Sequence, residues 1–146
     1  MCLYYASQIP EVVIGTKAGT TRTSISLTDA YDVANKTKII ETGGFSKLSL
    51  NVLYTMGATE TANSIEVRLD VSTDGVNFYR IANEAKTAGA TTATAEEYSF
   101  VGADAAAATI SIFKDIAYKY IRVSVKETGK VTNFGTVFVE ALLSGK

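Results

Sequence analysis

The chain contains no histidine and no tryptophan, and only one cysteine and one proline, among 146 residues. Without histidine, the commonest general base and a common metal ligand are missing. Cys2 therefore has no imidazole to activate it, and no GxSxG elbow presents a serine nucleophile. A single cysteine also excludes an internal disulfide. No run resembles a P-loop or a dinucleotide fingerprint. No segment approaches the roughly 20 apolar residues of a membrane helix, so no membrane insertion is expected. The formal net charge of −1 leaves no Lys/Arg surplus to line a nucleic-acid surface. The first residues, MCLYYASQIPEVVIG, lack the basic and apolar regions of a secretory signal, which predicts synthesis in the cytoplasm. No catalytic, cofactor or metal residue is expected, and the chain reads as non-enzymatic.

What is present is patterned. Hydrophobic residues make up 47% and charged residues 20%, a balance that folds. Residues 63–81, NSIEVRLDVSTDGVNFYRI, organise the chain. Ile65, Val67, Leu69 and Val71 alternate with Ser64, Glu66, Arg68 and Asp70, the two-residue period of a strand with one buried face. Thr73-Asp74-Gly75 breaks the period with turn residues, and a second strand follows. A three-residue turn with Gly75 left-handed sets Tyr79 opposite Leu69 and Ile81 opposite Val67. That register keeps Arg80 in water and turns Phe78 outward, where it needs cover.

Further strands are expected over residues 21–28, 38–41, 45–56, 97–101, 109–114, 117–126 and 131–143. Residues 29–36 read as a loop with Asp29 able to cap one helical turn. Residues 82–95, rich in Ala and Thr, read as a long surface loop, and 102–108 as an alanine-rich connection. Thr128-Gly129-Lys130 reads as a hairpin turn. About eight strands and no helical period predict an all-β fold, an antiparallel β-sandwich with jelly-roll topology favoured. Residues 1–20 form an N-terminal arm or edge strand and 21–146 a single sandwich domain.

The candidate residues are apolar or aromatic. The arm carries Leu3, Tyr4, Tyr5, Ile9, Val12 and Ile14, more apolar surface than a free tail carries; it either folds back as an edge strand or docks on a neighbouring subunit. The last strand is apolar on both faces, with Phe134 and Phe138 on one of them, so something beyond the opposing sheet must cover it. The arm or a second subunit would serve. Tyr118 and Tyr120 share a strand face with Arg122. They cap the core after a register shift, or form a protein interface, or stack on a sugar ring. Glu66 and Asp70, with Arg68 between them, read as a solvated row, and Glu96-Glu97 as solvated carboxylates in preference to a calcium site.

Three segments carry a resemblance. DVSTDGVNFYRI (70–81) and YKYIRVSV (118–125) resemble the strand–turn–strand and later strand of discoidin-like (coagulation factor type C) sandwiches, which bring a disulfide and tryptophans that this chain lacks. The same hairpin, with GTVFVEALLSGK (135–146), is similar to β-sandwich structural proteins of tailed bacteriophage particles: head decoration, head-fibre and tail accessory proteins. That resemblance implies a virion protein without a cofactor. It would act by self-assembly, with a trimer expected, and by docking on a capsid or tail protein. The alternative is a carbohydrate- or cell-surface-binding module using Tyr118, Tyr120 and residues 82–95, with a glycan as partner.

Overall fold

The computed structural model describes residues 9–31, 37–87, 90–95, 97–101 and 107–145. Their strands are β1 (Ile9–Ile14), β2 (Thr16–Ala18), β3 (Thr21–Thr23), β4 (Ile25–Ser26), β5 (Thr37–Glu41), β6 (Lys47–Thr55) and β7 (Ser64–Ser72). They continue with β8 (Tyr79–Arg80), β9 (Ala82–Thr87), β10 (Ala90–Ala95), β11 (Glu97–Val101), β12 (Ala107–Asp115), β13 (Tyr120–Thr128) and β14 (Thr136–Ser144). One sheet has the order β1-β14-β6-β12, with β4 also on β14; the other has β11-β7-β13-β5, with β8 also on β7. We call them sheets A and B. All their pairings are antiparallel. The chain passes from sheet to sheet at every principal strand except β7 to β11, which are neighbours in one sheet. That order is a jelly roll.

Alternation decides which side chains meet. Leu48, Leu50, Val52 and Tyr54 of β6, with Val137, Val139 and Ala141 of β14, face Ile65, Val67 and Leu69 of β7 and Ile121, Val123 and Val125 of β13. All are at most 2% exposed. Their burial, about 25 cal/mol per Å2 of apolar surface, is the main term holding the sheets together.

Three expectations are corrected. Tyr79 pairs with Val71 and Arg80 with Asp70, so the loop is longer than a three-residue turn. Side chains widen it: Ser72 Oγ accepts from the Asp74 and Gly75 N–H groups, and Asp74 Oδ1 from those of Val76 and Asn77. Secondly, Thr128-Gly129-Lys130 is no hairpin turn, because β13 and β14 lie in opposite sheets. The connection crosses the end of the sandwich on two carboxylates. Glu60 accepts from the N–H groups of Val131, Thr132 and Asn133, and Glu127 from that of Gly135. Thirdly, residues 82–95 contain a β-hairpin, β9 with β10, whose threonines suit extended backbone. The outer face of β14 finds cover partly in the arm, as one of the two expected alternatives had it: β2, within residues 1–20, pairs with β3, and the hairpin places Lys17 and Arg22 on Glu140. Gly15 makes the approach possible: at φ +92°, a Cβ there would stand 2.6 Å from the Thr23 carbonyl oxygen and 2.8 Å from the Phe138 ring. Residues 32–36 and 102–106, where a capped turn and an alanine-rich connection were expected, lie outside the described residues.

Candidate functional site

The two outer faces of the sandwich differ. On sheet B two of the outward residues of β7 are buried: Arg68 is 7% and Asp70 1% exposed, while Glu66 stays partly exposed. Arg122 of β13 donates to Asp70 Oδ2 through Nε at 3.1 Å and Nη2 at 2.8 Å, and Arg68 Nε lies 3.4 Å from the same oxygen. Aromatic rings roof this charge cluster. Phe78 lies under the Arg122 guanidinium at 4.6 Å, and Tyr31 takes Arg68 at 4.4 Å and Lys126 at 4.7 Å. Glu66 is held by Lys126 and by the Tyr31 hydroxyl, so the carboxylate row is an ion-pair network, buried at Asp70 and partly exposed at Glu66, and not the fully solvated face expected.

Sheet A presents an open face. Register sets its outward residues in rows across three strands. Glu140 of β14 stands opposite Asn51 of β6, which stands opposite Ser111 of β12. The next row is Phe138–Leu53–Thr109, and on the other side lies Leu142–Ser49–Phe113. The Ser111 hydroxyl donates to Asn51 Oδ1 at 2.6 Å. Glu140 receives Arg22 at 2.7 Å and Lys17 at 3.1 Å, both from the β2–β3 hairpin. The Arg22 hydrogen bond, followed by that of Lys17, outweighs burial and holds the Glu140 carboxyl below its ordinary value, so it is charged at neutral pH. Arg22, Asn51, Leu53, Thr109, Phe138 and Glu140 enclose a cavity of about 210 Å3. Phe113, 59% exposed, stands beside it. The face therefore combines a charged acceptor, an amide, two hydroxyls and an exposed ring: fixed polar groups beside apolar surface, which is how small polar ligands are held.

The expected interface residues scatter. Ile14 and Phe138, each 1% exposed, are buried within the chain. Arg22 lies 5.8 Å over the Phe138 ring, so the one candidate at the open face is mostly its floor. Val12 is half-buried in β1, where its carbonyl accepts from Lys38. Phe134 packs under Lys130 and Phe78 under Arg122, so the cover that Phe78 needs is intramolecular. Tyr120 lies against the Asp74–Gly75 turn, about 3.3 Å from where a Gly75 Cβ would stand. Tyr118, 45% exposed, instead borders a cavity of about 330 Å3 at the end of the sandwich together with Tyr79, which is 67% exposed. The Tyr118–Tyr120–Arg122 face is thus not one platform. Leu3, Tyr4 and Tyr5 lie outside the described residues, as does the side chain of Ile9. Sequence reading missed Arg22, Asn51, Ser111 and Glu140; their outward alternation was legible, but their adjacency depends on pairings between distant strands.

Among the described residues no group of three or more Asp, Glu, Cys or His side chains is placed to hold a metal ion, and no helix is long and apolar enough to cross a membrane. No protein-family model and no curated protein matches the chain. Solved structures do. The CBM22-1 xylan-binding domain of Xyn10C from Paenibacillus barcinonensis is similar over 96% of this chain and 87% of its own, with TM-score 0.51 and 8% identity. The CBM22-1–GH10 modules of Clostridium thermocellum xylanase 10B, complexed with xylohexaose, match over 97% of this chain at TM-score 0.46 and 14% identity; this chain spans a quarter of that one. The first likeness is one of fold: a β-sandwich shared at a level where sequence no longer is.

Proposed function

We propose that the protein is a non-catalytic carbohydrate-binding β-sandwich that takes a glycan on the open face of sheet A. One observation carries the reading: the Glu140–Asn51–Ser111 row, flanked by Leu53 and Phe113, starts under the β2–β3 hairpin at Glu140 and runs out onto exposed Ser111, Thr109 and Phe113 of β12. A pyranose ring offers hydroxyls at its edge and C–H groups on its faces. Asn51, Ser111 and Thr109 donate to or accept from the hydroxyls, Glu140 accepts, and the apolar side chains meet the C–H face. The likeness in fold to a xylan-binding domain fits this reading. Each such hydrogen bond exchanges with water and nets about 0.5–1.5 kcal/mol, so affinity for a short oligosaccharide is expected on the order of 0.1–1 mM.

Two of the features behind the particle-assembly reading find their cover within the chain, while Leu3, Tyr4 and Tyr5 of the arm lie outside the described residues. Phe78 and Phe138 are covered by Arg122 and by the β2–β3 hairpin, so neither calls for a second subunit. Screening neutral and acidic polysaccharides by affinity electrophoresis tests the carbohydrate reading. Retardation by at least one polysaccharide that Asn51→Ala weakens and Tyr118→Ala does not is the expected result. Retention by none overturns it, and loss confined to Tyr118→Ala moves the site to the Tyr79–Tyr118 cavity.

A further inference from the structure

We propose that the chain forms a symmetric dimer by pairing the free edge of β12 with the same edge of a second copy. The edges of the two sheets are not equal. β1 carries Pro10 and a register irregularity between Val12 and Ile14, both of which obstruct strand addition. β5 is five residues long and includes Lys38; β8 and β11, on the edge opposite β5, are two and five residues long. β12 has none of these devices over most of its length. Its nine residues, AATISIFKD, pair with β6 in unbroken register, contain no proline, and keep their charges to Lys114 and Asp115 at one end. No other described strand pairs with it.

The occupant follows from self-complementarity. An antiparallel pairing centred on Ser111 sets Ser111 opposite its own copy, Ile110 opposite Ile112 on the core side, and Thr109 opposite Phe113 outside. Lys114 then meets Ala108 and Asp115 meets Ala107, so no like charges are opposed. Half-buried Ile110 gains an apolar neighbour, and part of the 59% exposed Phe113 ring is covered. The two copies become one continuous sheet whose far edges are the obstructed β1 strands, so assembly closes at two and does not grow. The same register runs the polar row straight across the junction, from Glu140–Asn51–Ser111 into Ser111–Asn51–Glu140 of the second copy. The two Asn51 residues then stand three strand spacings apart, about 14 Å. On the carbohydrate reading, one polysaccharide strand would span both rows and gain from two linked sites; the pairing itself does not depend on that reading.

The test uses the full chain without glycan. Sedimentation velocity at micromolar concentrations is expected to show a dimer, and Ser111→Lys, which opposes two lysines at the axis, to shift it to monomer. In a Cys2→Ser background, Ser111→Cys is expected to give a disulfide-linked dimer on mild oxidation, whereas Thr109→Cys, which faces Phe113 of the second copy, stays unlinked. The cysteine pair keeps the proposal decidable if Ser111→Lys fails to fold. A monomer at every concentration, a trimer, open-ended growth, or equal cross-linking of the two cysteine variants overturns it. Absence of glycan binding overturns the carbohydrate reading and leaves this result standing.

Discussion

The hydroxyl of Tyr54, near the C-terminal end of β6, donates to Glu127 Oε1 at 2.5 Å inside a core from which both residues have lost all contact with water. Asn63 Nδ2 donates to the same oxygen at 3.1 Å, and the Gly135 N–H donates to Oε2 at 2.7 Å. Burial first, then the Glu127 hydrogen bond, pushes the Tyr54 phenol far above the ordinary tyrosine range. One carboxylate thus ties sheet A, the 57–63 loop and the crossing connection before β14 together. Glu127→Ala leaves a buried phenol and a buried N–H without their acceptor and should cost about 3 kcal/mol in urea unfolding. Tyr54→Phe, which removes one of three donors, should cost less, about 1–2 kcal/mol. Ultraviolet titration should show Tyr54 ionising only as the protein unfolds.

Stability should fall in acid. Glu60 is held below its ordinary 4.5 by the N–H groups of Val131, Asn133 and Thr132, and Asp74 below its ordinary 3.8 by the Asn77 backbone and side chain and the Val76 N–H. Glu66 and Glu140 are lowered as well. A carboxyl lowered on folding contributes stability that is complete above its unfolded value and is lost as pH falls through the folded one. The decline should therefore begin near pH 4.5 and continue below it. Urea midpoints measured between pH 7 and pH 2 check this, and Glu60→Gln should flatten the curve while lowering stability at pH 7.

Gly15→Ala should destabilise the protein and disturb the open face together. The new Cβ meets the Thr23 carbonyl and the Phe138 ring at contacts that real side chains do not make, on backbone at φ +92°. The cost should be about 2–3 kcal/mol, with the β2–β3 hairpin lifted and Arg22 and Lys17 drawn from Glu140. Thermal unfolding reads the first effect; weaker polysaccharide retardation reads the second.

Arg122→Ala should cost about 3 kcal/mol, because Asp70, 1% exposed, loses a two-point partner and Phe78 loses its cover. Arg122→Lys should recover only part, since an ammonium cannot reproduce the two-point contact. Denaturant midpoints of the two variants decide it.

The alternation of β7 and β13 was readable because each buries one face, and Ile65 to Val71 and Ile121 to Val125 repeat every second residue. The jelly-roll class followed from strand number and spacing. What was not readable shares one cause. Asp70 and Arg68 occupy outward positions, and nothing local says that Phe78 and Tyr31 roof them. Phe138 looked like a residue awaiting a partner because the hairpin that covers it sits more than a hundred residues earlier. The loop after Val71 contained its answer in Ser72 and Asp74, whose side chains compete with the ladder for backbone N–H groups. Reading Thr73-Asp74-Gly75 as a three-residue turn set the register two residues short.

β14 is the last strand in chain order, yet it lies inside sheet A, between β1 and β6. During synthesis, β1 and β6 must both wait for Thr136–Ser144 to clear the ribosome, and until then each keeps an edge of unpaired backbone N–H and C=O groups. Such late closure of non-local strands is slow and favours chaperone engagement. Deleting residues 136–144 would therefore remove the strand that joins β1 to β6 and divide sheet A at its centre.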